Sequence, residues 1–100
     1  MSVNIDVFFR VRNSRDERER AGVAAILTDV LESERLALDV AITLGEEADD
    51  LYVQADSDDP VIFSGFYRWV PEFERTLTDR VVALVPHARL DFGWEYVDED

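Results

Sequence analysis

The segment Val3-Asn4-Ile5-Asp6-Val7-Phe8-Phe9-Arg10-Val11-Arg12 (residues 3–12) opens the chain with a clear β pattern. Aliphatic or aromatic side chains occupy its odd positions, and mostly polar ones occupy the even positions. A period of two is typical of a strand with one buried face. We therefore predict a first strand over about residues 3–12.

A helix is predicted directly after this strand, over about residues 15–33. Ser14-Arg15-Asp16-Glu17 has the form of a capping box, in which the serine hydroxyl accepts a backbone hydrogen bond and Glu17 reaches back. Apolar residues then recur at helical spacing. They are Val23, Ile26, Leu27, Val30 and Leu31.

Alternation over residues 36–44 predicts a second strand, although a helix is the alternative because Leu and Ala favour it. The remaining predicted elements are a turn at 45–50, a short strand at 51–55, a hairpin turn at 56–60, a long aromatic strand at 61–70, a helix beginning at Pro71 and ended by Pro86, and a last strand at 90–96.

This order, β-α-β-β-β-α-β, predicts an α+β fold of the ferredoxin-like kind. Two helices would cover one face of a largely antiparallel sheet in a two-layer sandwich. If residues 36–44 are helix or loop, the order becomes plain β-α-β-β-α-β and the class is unchanged. Residues 1–100 are expected to form one domain with a short acidic tail at 97–100.

The charge of the chain limits its partners. It has 23 Asp and Glu against ten basic side chains, all of them arginine, for a net charge of −13. Such a charge repels nucleic acid and anionic lipid. The absence of cysteine excludes disulfides and thiolate zinc sites, and the sequence shows no signal peptide or membrane-length apolar run, so a cytoplasmic protein is expected.

The acid is unevenly distributed. Residues 1–20 carry five arginines against four acids, whereas residues 21–100 carry five against 19. Two interpretations stay open. The acid is either a solvent adaptation of the kind found in salt-rich cytoplasm, or a recognition surface for a basic partner.

The predicted topology brings two acidic segments, residues 46–50 and 98–100, together at one end of the sheet, near Arg12, Arg15 and Arg18. It places the acidic residues 56–59 at the other end. The alternative is that these segments are merely solvated loops. With Trp69 as a nearby aromatic contact, the predicted partner-binding residues are Glu46, Glu47, Asp49, Asp50, Trp69, Asp98, Glu99 and Asp100.

A second surface is suggested by the predicted strand 61–70, which has apolar side chains on both faces. The sheet face without helices would then carry Phe8, Ile62 and Phe66, and a symmetric dimer is one way to cover them. The alternative is that loops or the tail cover this face.

The sequence offers little for catalysis or metal binding. His87 is the only histidine, and its loop position favours a surface role. Asp56-Ser57-Asp58-Asp59 lacks the glycine and the glutamate of a calcium loop at the required spacings. We therefore predict no catalytic residue, no metal site and no cofactor.

Residues 69–74, Trp-Val-Pro-Glu-Phe-Glu, together with residues 94–100, Trp-Glu-Tyr-Val-Asp-Glu-Asp, resemble the C-terminal half of small acidic bacterial immunity proteins, which bind and neutralise toxins. The resemblance implies an inhibitor without catalysis, whose acids meet a basic site on the toxin. The leading hypothesis is thus a non-enzymatic module that binds a basic protein. The alternatives are a dimeric ferredoxin-like domain with a small ligand or a modest reaction, and a halophilic domain whose acidity is solvent adaptation.

Overall fold

The computed structural model describes residues 2–97, which fold into seven short strands and two helices. The elements are β1 Ser2–Asp6, β2 Phe8–Ser14, α1 Glu17–Ser33, β3 Val40–Glu47, β4 Asp50–Ser57, β5 Val61–Ser64, α2 Phe66–Leu84, β6 Arg89–Phe92 and β7 Glu95–Tyr96.

The strands form two antiparallel sheets, with the orders β5-β1-β7 and β3-β4-β2-β6. Only Val7 separates β1 from β2, so these strands continue along one path, and β4–β5 and β6–β7 flank that path on either side. If β1 and β2, β4 and β5, and β6 and β7 are each counted as one interrupted strand, and β3 as the fourth, the element order is β-α-β-β-α-β. The α+β, ferredoxin-like two-layer fold is confirmed in its plain version.

The hairpin predicted at residues 56–60 is wrong. β4 is antiparallel to β2 and β5 is antiparallel to β1, so the chain keeps its direction from β4 into β5. Ser57 holds this junction, because its N–H donates to Val7 O and its Oγ accepts from Val7 N–H, both at 3.0 Å. Pro60, which has no N–H, then separates the two strands. The chain therefore reverses its direction one time fewer than the sequence analysis predicts.

The long strand predicted at residues 61–70 is also wrong. The strand ends at Ser64, Gly65 has a positive φ of 67°, and α2 begins at Phe66 with Pro71 inside it. Phe66, Phe73 and Leu77 are buried at helical spacing, and this helical pattern overrides the β preference of the aromatic residues.

The first helix begins at Glu17, two residues later than predicted. Asp16 is its N-cap, since Asp16 Oδ1 accepts from Glu19 N–H at 2.9 Å. Glu19 Oε1 in turn accepts from Arg15 N–H at 2.7 Å. The cap acceptor is therefore Asp16 rather than Ser14, and the return bond of Glu19 goes to the N–H of Arg15, the residue before the N-cap.

The core lies between the helices and the odd-numbered side chains of β1 and β2. Ile5, Val7, Phe9 and Val11 are buried there, as the alternation predicted. The stripe predicted for α1 is largely confirmed, because Val23, Leu27, Val30 and Leu31 are buried, and α2 buries Phe73, Leu77 and Val81. No helix in residues 2–97 combines the length and the apolar character needed to cross a membrane.

Candidate functional site

The β3–β4 hairpin carries four acids at one end of the sheet. We call Glu46, Glu47, Asp49 and Asp50 the acidic turn. Glu47 pairs with Asp50, and two residues close the hairpin between them. β3 thus begins four residues later than the strand predicted at 36–44 and extends three residues beyond its predicted end. Glu46, Glu47 and Asp49 are exposed and Asp50 is half-buried, so the predicted acids do form one solvent-facing group.

Two contacts tie the acidic turn to β2. Asp50 Oδ1 accepts from Asn13 N–H at 2.7 Å, and Glu47 Oε2 lies 3.4 Å from Arg10 Nη1. Within residues 2–97, Glu46 and Asp49 form no ion pair. The charge of the turn is therefore only partly neutralised, and a partner could still pair with it.

A layer of side chains on the open sheet face supports the turn. The Arg10 guanidinium stacks over the Tyr52 ring at 4.2 Å, and Arg10 Nε donates to Gln54 Oε1 at 3.1 Å. Gly45, which pairs with Tyr52, leaves the space that this ring occupies. Arg20 Nη1 donates to Gly45 O at 2.9 Å from the helix side. The base of the turn is thus held from both faces.

An open hollow of about 480 Å³ lies between the turn and the start of α1. His87 is half-buried there, with Nε2 3.4 Å from Glu19 Oε1. Ser14 is 3% exposed, and its Oγ has no hydrogen-bond partner among the described residues. Sequence reasoning missed this grouping of Ser14, His87 and Asp50, because it arises from the meeting of three distant segments.

Trp69 does not lie beside the acidic turn. It belongs to α2, which begins at the end of the sheet where Ser2 pairs with Ser64. The acidic turn is at the opposite end, beside Asn13. Trp69 is half-buried, its indole N–H donates to Glu34 Oε2 at 2.7 Å, and its ring stacks on Phe73 at 4.5 Å. Its role in partner binding stays a prediction, at a separate location.

The path of the last strand also differs from the predicted one. Val97 N–H donates to Asn4 O at 2.9 Å, so the last described residue lies at the end opposite the acidic turn. The predicted meeting of the two acidic segments assumed an additional chain reversal, which the junction at Ser57 removes. Asp98, Glu99 and Asp100 themselves lie outside the described residues. Asp56 lies within the sheet, paired with Phe8 and Ala41, so its placement at the far end is wrong too.

The proposed dimer face is only partly exposed. Phe8 is 38% and Ile62 is 71% exposed, but Phe66 is 5% exposed, because it lies in the first turn of α2 and points into the core. Phe66 as a residue of this face is therefore wrong. Beside Phe8 and Ile62 the face is polar, with Arg12 Nε 3.2 Å from Asp91 Oδ2. A dimer through this face stays a prediction.

An aromatic cluster fills the end of the molecule opposite the acidic turn. Nine rings are linked at centroid distances of 4.5–6.2 Å, and they are Phe9, Phe63, Phe66, Tyr67, Trp69, Phe73, Phe92, Trp94 and Tyr96. At its surface a hydrogen bond with Tyr67 is the main cause that raises the pKa of Tyr96 to about 12. The two ends thus differ in character, one acidic and one aromatic.

Among residues 2–97, no group of three or more His, Cys, Asp or Glu side chains could hold a metal ion. No protein-family model matches the chain, and no curated protein matches it. Solved structures are similar in fold. A de novo designed protein, Foldit4, aligns at a TM-score of 0.60 and 14% identity, over 92% of this chain and 96% of the design.

A hydantoinase/carbamoylase family amidase from Burkholderia ambifaria aligns at a TM-score of 0.56 and 14% identity. The alignment covers 93% of this chain but only 28% of the amidase. At this level of identity the similarity concerns the fold alone.

Proposed function

We propose that this chain is a non-enzymatic cytoplasmic module that binds a basic protein partner through the acidic turn. The observation that carries the proposal is the projection of Glu46, Glu47 and Asp49 into solvent at one end of the sheet, where Glu47 alone forms an ion pair with another described residue. The pairing of β3 with β4 sets the backbone positions of these acids, so a partner would meet them on one ordered hairpin.

Electrostatics supports this proposal. Within residues 2–97, five of the ten arginines pair with acids: Arg10, Arg12, Arg75, Arg80 and Arg89. With a net charge of −13, the surplus of carboxylates attracts basic surfaces over a distance of about 10 Å at moderate ionic strength. Such attraction raises the association rate more than the final affinity.

The resemblance to immunity proteins suggests what the partner does. In that case the partner is a toxin with a basic substrate-binding surface, and the acidic turn covers that surface. The chain would then need no chemistry of its own, only a fixed arrangement of negative charges. Co-expression with a toxic product of a neighbouring gene would restore growth.

The proposal is tested by neutralising the turn without changing its shape. We expect the variant Glu46→Gln/Glu47→Gln/Asp49→Asn to lose capture of the partner from native lysate at low salt. The wild-type protein should retain the partner and release it as salt rises, because screening weakens exposed ion pairs.

A matched variant, Glu72→Gln/Asp79→Asn/Glu95→Gln, changes the net charge equally but at exposed positions on α2 and β7. It should retain the partner. Equal losses in both variants would show that total charge, not the acidic turn, controls binding. If neither variant nor added salt changes the amount of partner captured, the proposal is contradicted.

A further inference from the structure

β3 is an unusually open sheet edge. Eight residues long, it borders the four-stranded sheet, whereas the other edge strands β5, β6 and β7 have four, four and two residues. Natural edges are commonly protected by shortness, charge or proline. Arg89 and Asp91 charge β6 and Pro60 precedes β5, but residues 40–45, Val-Ala-Ile-Thr-Leu-Gly, have none of these features.

The hydrogen-bond alternation shows which backbone groups of β3 are free. Ser57 N–H donates to Val7 O, so Ser57 directs its backbone groups toward β2, and the preceding residue Asp56 directs its groups toward β3. Asp56 pairs with Ala41. The next residue, Ile42, and then Leu44 therefore direct N–H and C=O away from β4. In the described chain no other strand pairs with them.

A groove beneath this edge could hold the side chains of an added strand. It has a volume of about 340 Å³ between α1 and β3, and its walls include Thr28, Leu31, Glu32, Ala37, Val40 and Ile42. Leu44, on the same side of β3 as Ile42, is 48% exposed. A strand that bonds to β3 would place every second side chain on this side of the sheet.

The charges around the edge select a basic strand. Asp39 precedes β3, Glu46 and Glu47 end it, and Glu32 lines the groove. A second copy of this chain would bring another net charge of −13 to the same place, whereas a basic strand brings the opposite charge.

We propose that the β3 edge binds an extended segment of the basic partner as an additional antiparallel or parallel strand. Its aliphatic side chains enter the groove, and its lysine or arginine side chains meet the flanking acids. This inference rests on the proposed function and adds the mode of binding: backbone hydrogen bonds at β3 supply affinity, and the acidic turn supplies attraction.

The probe is a capped peptide as long as β3, eight residues, in which lysine and valine alternate. We expect the full chain to bind it, with amide exchange slowed at Ile42 and Leu44. A peptide with N-methyl groups on the residues that face β3 should bind at least about tenfold more weakly, because it lacks the donors of the new ladder. A peptide with glutamate in place of lysine should not bind.

Matched variants separate the edge from general charge. Leu44→Lys places a charge on the open edge, and Leu84→Lys makes the same change at a leucine of similar exposure, 49%, at the end of α2. We expect Leu44→Lys to weaken peptide binding at least about tenfold and Leu84→Lys to change it less than about twofold.

Three outcomes would overturn the inference. Equal affinity for the methylated peptide would exclude a backbone ladder. Binding without exchange protection at Ile42 and Leu44, but sensitive to the acidic turn, would overturn the edge while leaving the proposed function intact. Protection of these amides in the protein alone, together with a dimer by light scattering, would identify a second copy as the occupant.

Discussion

Gly45 is the residue on which the support of the acidic turn depends. A Cβ at this position would overlap the Tyr52 ring, on which the Arg10 guanidinium stacks. We predict that Gly45→Ala displaces the ring and lowers the free energy of unfolding by about 1 kcal/mol, through overpacking and loss of the cation–π contact. Urea denaturation measures the change.

A double-mutant cycle controls for the effect of alanine on the strand itself. If the Tyr52 ring is the cause, Gly45→Ala should cost much less in a Tyr52→Ala background, because the obstacle is gone. Additive losses would mean that the substitution acts elsewhere.

At the scale of elements, the start of α1 gives a direct contrast between two cap positions. Asp16→Ala should destabilise the protein by about 1 kcal/mol, since it removes the acceptor of Glu19 N–H. Ser14→Ala should have no cost or a small gain, because the buried Ser14 Oγ has no partner in residues 2–97. Thermal unfolding of both variants tests this, and a larger loss for Ser14→Ala would restore Ser14 as the cap.

The elements also show where sequence patterns suffice and where they fail. Alternation, interrupted only at Phe8, predicts the strand at residues 3–12, and the stripe from Val23 to Leu31 predicts α1, because each pattern fits only one kind of element. The aromatic residues of the stretch 61–70 favour a strand by their type, whereas the helical spacing of Phe66 is apparent only together with Phe73 and Leu77. The true division of this stretch depends on Gly65, whose positive φ is a backbone property that the pattern does not display.

At the scale of the whole molecule, the wrongly predicted hairpin at residues 56–60 put the last strand and the acidic turn at the same end of the sheet. The four acids of the acidic turn could be predicted as one group, because they are neighbours in sequence. Their expected convergence with the tail required a correct count of chain reversals, and the junction at Ser57 altered that count. Ser14 and His87 could not be predicted beside the turn, because only the tertiary fold unites them.

The net charge of −13 leads to a final prediction for the whole molecule. At about 0.01 M salt the screening length is about 30 Å, which exceeds two of the three dimensions of the molecule, 43 × 24 × 19 Å, so carboxylates repel one another across most of it. At about 0.1 M it falls to about 10 Å and most of this repulsion is lost. Exposed ion pairs such as Arg80–Asp29, at 2.8 Å, are weakened too, but each contributes little.

We therefore expect the protein to unfold cooperatively even in dilute buffer, and added salt to raise its stability by about 1 kcal/mol, or about 4–8 °C in Tm. The variant Glu46→Gln/Glu47→Gln/Asp49→Asn, with three fewer charges, should respond less to salt. A Tm that does not rise would show that ion pairs outweigh the repulsion, whereas a chain that folds only in molar salt would show that its acidity is a solvent adaptation.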